Sequence, residues 1–463
     1  NSMNQDGIRH VCGFNDCYSL NEDELVICVH TNKSIKTVTL MCNDPYINGC
    51  SGTDPWDGVP LQMQLKYELK NELIYSVTLK PKYKRIQYYF VLSDSKEQCL
   101  LFEDGVYDPE IMNKKVIKHF FKFGWMNKGD ICSHPKWVED IVWYQIFPDR
   151  FFRVGDNRSV HGKKFKTWSV DTPFGRHDFF GGNLEGVSSK LEYLKDLGVN
   201  GIYFNPIFCS EENHKYSIDD YTKVDPDFGT NESFAALVEK AHKLGIKVMI
   251  DAVFNHTGPN FFAWKDVCQK GKNSKYYDWY FINSDDFNKK GSTKDSRYFS
   301  FAFVDNMPKL NTNNPVVRDY LVGVVSGWVR DYDVDGIRID VANEISHTFC
   351  KELRAALKAI KPDIYILGEI WHDAIAWLRG DEYDAVMNYP LAGSMKDFFI
   401  DKSLTNCKSM GIHPLDNTAT VFLSFKDLDK MSEEERGWIH EDFFPSFHQS
   451  PLIHIQNKSD FLE

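Results

Sequence analysis

Three short segments carry acidic, basic and guanidinium side chains at spacings that an alternating strand and helix chain would bring together. Arg338 and Asp340 are two apart in Gly336-Ile337-Arg338-Ile339-Asp340, so on a strand they share a face. An Arg beside a carboxylate keeps it ionised, and an ionised carboxylate can act as a nucleophile. Glu369 follows the next apolar run, in Gly368-Glu369-Ile370-Trp371, and Asn255-His256 closes the preceding one, which begins Asp251-Ala252-Val253-Phe254. A neutral Glu facing an anionic Asp across roughly 5 Å is the pair that cleaves a glycosidic bond with retention. Taken singly, a carboxylate at a strand end is more often a helix cap or a solvated loop residue. Taken jointly, Arg-x-Asp in one strand, Glu leaving the next and Asn-His ending the one before do not read as unrelated caps.

The elements that must position these residues follow from hydrophobic period. Apolar runs predict strands over 141–146, 199–204, 246–253, 336–341, 364–367 and 383–387. Between them, residues at helical spacing predict helices: Leu184/Val187/Leu191/Leu194 up to Gly198, Phe234/Leu237/Val238/Ala241 up to Gly245, Val317/Leu321/Val324/Trp328, and the segment 349–360. Six strands with intervening helices over roughly 250 residues point to a (β/α)8 TIM-type barrel, complete or not, rather than a doubly wound sheet, a choice that rests partly on the family resemblance given below; in a barrel the chemistry sits at the C-terminal strand ends. Upstream the period is two: Leu25/Ile27/Val29, Val38/Leu40/Cys42, Leu73/Tyr75/Val77/Leu79 and Ile86/Tyr88/Phe90/Leu92 predict an antiparallel β-sandwich. The predicted organisation is a sandwich over 1–135, a barrel over 136–256 and 307–405, a polar, aromatic insertion over 257–306 after the third strand, and a divergent segment over 406–463.

Composition narrows the class. The 463 residues are 42% apolar and 26% charged, which excludes global disorder. The longest mostly apolar stretch, 320–329, is half of the roughly 20 residues that a membrane span needs, so no membrane partner is expected. Subtracting 66 acidic from 54 basic residues leaves −12, which repels phosphate backbones and argues against nucleic acid. Aromatic residues make up 14%, and flat rings serve sugar faces as well as cores. The 11 cysteines include no CxxC pair, so neither a zinc ribbon nor a disulfide framework is expected. No basic segment followed by an apolar one opens the chain, and a cytoplasmic setting is the simpler expectation.

The segments Asp251–His256, Gly336–Asp340 and Gly368–Trp371 resemble three of the four hallmark segments of the α-amylase family, glycoside hydrolase family 13. Met307-Pro308-Lys309-Leu310-Asn311 and Val341-Ala342-Asn343-Glu344 are similar to the neopullulanase, cyclomaltodextrinase and maltogenic amylase branch, as are Tyr144–Phe151, Phe180–Leu184, Asn213-His214-Lys215-Tyr216 and Val386–Pro390. The resemblance runs from about residue 10 to 405, including a starch-binding-like N-terminal sandwich. It implies an α-glucan hydrolase acting on α-1,4 bonds of maltooligosaccharides, cyclodextrins or pullulan, with no required cofactor. It also implies roles: Asp340 as nucleophile, Glu369 as acid/base, Arg338 orienting Asp340, His256 donating to the glucose ring, Tyr216 stacking on it, and Asn343 and Glu344 meeting acceptor-side hydroxyls. A solvated helix start is the alternative for Glu344. The resemblance leaves open a homodimer through the N-terminal domain.

Two departures stand out. The fourth hallmark segment, a strand ending in His-Asp, is absent; Phe422-Leu423-Ser424-Phe425-Lys426-Asp427 comes too soon and has Lys for His, so Asp427 is an uncertain third carboxylate. This keeps two other readings open, a glucan-binding or vestigial protein with little turnover and a transglycosylase. The second departure concerns the structural calcium of relatives, held after the first strand by Asn, Asp and Gly-Gly-Asp. Here Asp156, Asn157 and Asn183 supply fewer carboxylates than a cation of six to eight oxygens favours, and a tight calcium site is not expected.

Overall fold

The computed structural model describes residues 3–50, 56–156, 158–167, 175–288, 293–390 and 392, and the backbone of 420–422 and 451–454. Its described residues fall into two units, one within 1–132 and the other within 133–392 together with the two strands at 420–422 and 451–454.

The first unit holds ten strands: β1 (Cys17–Ser19), β2 (Leu25–Thr31), β3 (Thr37–Asn43), β4 (Val59–Gln62), β5 (Gln64–Glu68), β6 (Leu73–Leu79), β7 (Ile86–Ser93), β8 (Gln98–Phe102), β9 (Gly105–Tyr107) and β10 (Phe121–Phe123). They form two antiparallel sheets, β1-β2-β6-β5 and β4-β3-β7-β8-β9, with β10 added on β7. The residues that alternate in the sequence are those that meet between the sheets: Leu25, Ile27, Val29, Val38, Leu40, Tyr75, Tyr88, Phe90 and Leu92 share one buried core.

The second unit is built on β11 (Val142–Ile146), β12 (Gly201–Phe204), a small hairpin of β13 (Phe208–Cys209) and β14 (Asp220–Val224), β15 (Lys247–Ala252), β16 (Gly336–Ile339), β17 (Tyr365–Gly368), β18 (Ala385–Val386), β19 (Thr420–Phe422) and β20 (Pro451–His454). Its helices are α1 (Pro148–Phe151), α2 (Leu184–Ser189), α3 (Leu191–Asp196), α4 (Asn231–Lys243), α5 (Phe262–Lys270), α6 (Pro315–Tyr332) and α7 (His347–Ile360). The main sheet runs β18-β17-β16-β15-β12-β11-β20-β19. Its first six strands are parallel, as the βα series predicts; beside β11, β20 pairs antiparallel and β19 pairs antiparallel with it. Six parallel strands of a barrel-type sheet are thus present, and at the β11 edge an antiparallel strand stands where a closed (β/α)8 sheet would continue parallel.

Local chemistry explains the boundaries. Thr230 and Ser233 form a capping box at α4, Asn314 and Ser346 cap α6 and α7, and Gly198 and Gly245 take left-handed φ of 93° and 75° after their helices. The helix expected across 184–194 is interrupted at Lys190. The Ser189 hydroxyl donates to Gly186 O at 2.7 Å, the competition for backbone acceptors that makes serine a weak helix former. Register is pinned at the strand starts. Asn200, Asp335 and Asp384, each just before a strand, accept the N–H of Val142, Val248 and Ile366 on the neighbouring strand, at 2.6, 2.9 and 2.9 Å. Asp335 also meets His242 (2.6 Å), and Asp384 meets Arg354 (2.6 Å) and Lys358 (2.9 Å), tying helices to the sheet. Since a one-residue slip would turn every side chain to the other face, these locks decide what points inward. Trp143, Tyr203, Met249, Tyr365, Leu367, Ala385 and Met387 fill that interior in one cluster.

Candidate active site

Asp251 of β15 lies directly opposite Arg338 of β16 in the parallel ladder, so both side chains emerge on the inner face. Asp340 follows one residue after β16 and Glu369 one after β17, their backbones still bonded to the neighbouring strands: Asp340 N–H to Ala252 O and Glu369 N–H to Ile339 O, both at 3.0 Å. One guanidinium gathers three carboxylates. Arg338 Nη1 donates to Asp251 Oδ1 (2.9 Å), Asp251 Oδ2 (3.0 Å) and Asp340 Oδ1 (2.7 Å), and Nη2 meets Glu369 Oε1 at 2.9 Å. All four residues are buried.

Each carboxylate has its own further donors. Asp251 Oδ2 accepts the hydroxyls of Tyr203 (2.5 Å) and Tyr216 (2.8 Å). Glu369 accepts the Val341 N–H (3.0 Å), the Trp371 indole N–H (3.1 Å) and the Tyr389 hydroxyl (3.1 Å). Val341, which donates that N–H, is held at φ 46°, ψ 45°, a left-handed conformation that costs a β-branched residue of order 1–3 kcal/mol. Backbone strain of this kind clusters at functional sites.

Electrostatics separate the pair. Burial pushes Asp340 well above the usual carboxylate range, with the charges of Glu369 and Asp251 adding to it against the pull of Arg338. Burial also works to raise Glu369, but Arg338 and the donors from Val341, Trp371 and Tyr389 hold it below its ordinary value. The two carboxylates thus sit in different fields, Asp340 raised by its burial and Glu369 lowered by Arg338 and its three donors.

The remaining predicted residues divide. Tyr216 joins the cluster through its hydroxyl, with its ring buried. His256 supports it from behind: Nε2 lies 3.1 Å from Tyr216 O and Nδ1 3.3 Å from Asn255 Nδ2, so both ring nitrogens are engaged within the chain, and burial lowers its pKa to about 3 and keeps it neutral. The Phe301 ring, brought by the insertion, stacks on it at 5.2 Å. Asn343 and Glu344 sit in a 3-10 turn beyond Val341 and line a separate cavity of about 190 Å³ with Lys309, Thr312 and His347, which Asp340 and Glu369 do not line. Glu344 there pairs with Lys309 at 3.2 Å, and Asn343 meets His372 at 3.3 Å. Asp427 and Asn157 lie outside the described residues. Asn183 caps α2 and Asp156 is exposed. Sequence reasoning assigned no role to Asp251, Tyr203, Trp371 or Tyr389. The register between β15 and β16 places Asp251, and no sequence spacing encodes register across strands.

Residues 145–435 match the family model described as alpha amylase, catalytic domain, and residues 3–127 match alpha amylase, N-terminal ig-like domain. The chain belongs to the α-amylase family. Within that family it is 43% identical over 411 residues to a maltogenic alpha-amylase of Bacillus acidopullulyticus, covering 87% of this chain and 67% of that one. It is 41% identical over 404 residues to a cyclomaltodextrinase of Geobacillus thermopakistaniensis, with the same coverage. A solved cyclomaltodextrinase superposes with a TM-score of 0.79 at 34% identity, over 89% of this chain and 69% of that one. The chain thus spans about two thirds of the length of these α-amylase family relatives.

Proposed function

We propose that this chain is a retaining α-glucan hydrolase that cleaves α-1,4-glucosidic bonds in maltooligosaccharides, cyclodextrins or pullulan. The observation that carries the reading is the single Arg338 guanidinium holding Asp340 on one nitrogen and Glu369 on the other. In the proposed sequence, Asp340 attacks the anomeric carbon and forms a glycosyl ester while Glu369 protonates the leaving oxygen; Glu369 then takes a proton from water, which releases the sugar and frees Asp340. Arg338, bonded to both carboxylates, stabilises the charge on Asp340 as it attacks. Asp251, fixed by two tyrosines, keeps Arg338 in place. No step calls on a cofactor.

Names of relatives support the substrate class: maltogenic alpha-amylase, cyclomaltodextrinase, and a neopullulanase 2 of Thermoactinomyces vulgaris that is 42% identical over 318 residues. A cytoplasmic setting is supported by the name of one relative, an intracellular maltogenic amylase of Bacillus subtilis. Among the described residues no helix is long and apolar enough to cross a membrane. The test is release of reducing ends from γ-cyclodextrin by purified protein. Release by the wild-type chain that falls at least roughly a thousandfold in Asp340→Asn, with glucan binding retained, supports the proposal. Binding without turnover in the wild type would instead make the protein a glucan binder.

A further inference from the structure

A calcium that relatives often hold in the loop after the first barrel strand is not expected to bind tightly here, and the described residues of that loop, which follows β11, do not fit one. Calcium takes six to eight oxygens at about 2.3–2.6 Å, with carboxylates prominent among them. Asn183 Oδ1 accepts the N–H groups of Gly186 (2.8 Å) and Val154 (3.2 Å), and its Nδ2 donates to Val154 O (2.8 Å). The Asp156 carboxylate is 71% exposed and faces Arg158 at 3.3 Å. Three carbonyl oxygens there, those of Asp156, Arg158 and Gly181, accept from a cation that the chain itself supplies. Arg153 Nε donates to Asp156 O and Nη1 to Gly181 O, both at 2.6 Å, while Nη2 reaches Asp156 O and, at 3.4 Å, Arg158 O. The guanidinium lies over the Phe165 ring, 4.9 Å from its centroid.

We propose that the Arg153 guanidinium is the resident cation of this loop, so that the loop is held without a divalent metal. A guanidinium resembles a metal ion in drawing several carbonyls from distant residues to one positive centre; unlike a metal ion it neither dissociates nor yields to a chelator. The segment it fastens has little slack: a Cβ on Gly182 would stand 2.0 Å from Pro148 O. It also bears on the catalytic end of the sheet. Buried Asp149 accepts the N–H groups of Phe180 and Gly181, and Asn213, three residues before Tyr216, donates to Arg176 O and Asp178 O at 2.8 Å each.

The experiment is thermal melting of the whole chain in EDTA and in millimolar calcium chloride, with calorimetric titration of calcium alone into metal-stripped protein. The proposal predicts coincident melting curves, no saturable heat, and a midpoint lowered by about 5 °C in Arg153→Met that calcium does not restore. Arg153→Lys, which keeps the charge but cannot bridge the carbonyls, should fall between the two. A wild-type midpoint that rises with calcium or drops in EDTA, stoichiometric calcium binding, or an Arg153→Met variant melting with the wild type would each overturn it. If Arg153→Met does not fold, the wild-type melts and titration alone decide. None of these readouts depends on glucan hydrolysis, so failure here is distinct from failure of the proposed activity.

Discussion

Replacing Arg338 by Lys keeps one positive charge in the carboxylate cluster and removes the fork that distributes it. In the structure Nη1 serves Asp251 and Asp340 at 2.7–3.0 Å while Nη2 alone reaches Glu369 at 2.9 Å. An ammonium is a single point and cannot stand within hydrogen-bond distance of all three carboxylates, so the contact made by the far nitrogen, that to Glu369, is the one lost. A hydrogen bond between charged groups in a buried site contributes about 1.5–3 kcal/mol, so kcat/KM should fall roughly 10- to 150-fold. The pH profile gives a second readout. Activity needs one proton on the Asp340–Glu369 pair, and the alkaline limb marks its departure. Moving the cation away from Glu369 raises that upper value, so the limb shifts to higher pH. Arg338→Met removes the cation altogether and should also destabilise the fold by about 3–5 kcal/mol, because buried carboxylates lose their counter-charge. Initial rates on γ-cyclodextrin across pH, with denaturant unfolding alongside, measure all three effects. An Arg338→Lys variant with wild-type kcat/KM and an unmoved alkaline limb would refute the reasoning.

Two further predictions test the acid and the sheet. Glu369→Gln should lose far more rate on γ-cyclodextrin than on a nitrophenyl maltoside, whose leaving group departs without protonation; equal losses on both would remove Glu369 from the acid role. Asp335→Asn should cost about 2 kcal/mol at neutral pH, since partners including His242, Lys361 and the Val248 N–H lower the Asp335 carboxyl from 3.8 to about 2 against the effect of burial. Because the folded-state value is depressed, that stability is complete above the unfolded value and is lost as pH falls through about 2. The gap between wild type and variant should therefore shrink to about half by pH 3; a gap that stays constant between pH 7 and pH 3 would contradict it.

What was legible in the sequence was whatever local pattern encodes. The six parallel strands showed as apolar runs between helices that end at Gly198 and Gly245, and the sandwich core showed as period-two alternation from Leu25 to Leu92. Arg338, Asp340 and Glu369 were found because strand geometry places residues two apart on one face and successive strand ends side by side. The partners that fix them were not found, for a physical reason. Asp251 meets Arg338 through a cross-strand register set by Asp335, and Tyr203 and Tyr389 reach carboxylates from residues far away in sequence. The interruption at Lys190 escaped because apolar period is indifferent to a serine hydroxyl that turns back on its own helix. The field at the pair is a further gap: spacing places Asp340 beside an Arg, but the donors from Val341, Trp371 and Tyr389 that converge on Glu369 are brought there by the fold.

The central claim is that the glycosyl group passes through a covalent ester on Asp340. The most direct measurement is to incubate the chain with an activated maltosyl fluoride whose ring fluorine slows hydrolysis of the ester, quench in acid, digest, and locate the added mass by tandem mass spectrometry. The account predicts one glycosyl adduct per chain, on the peptide containing Asp340, and none in Asp340→Asn. An adduct on another residue, or turnover of the same substrate with inversion and no adduct, would contradict it.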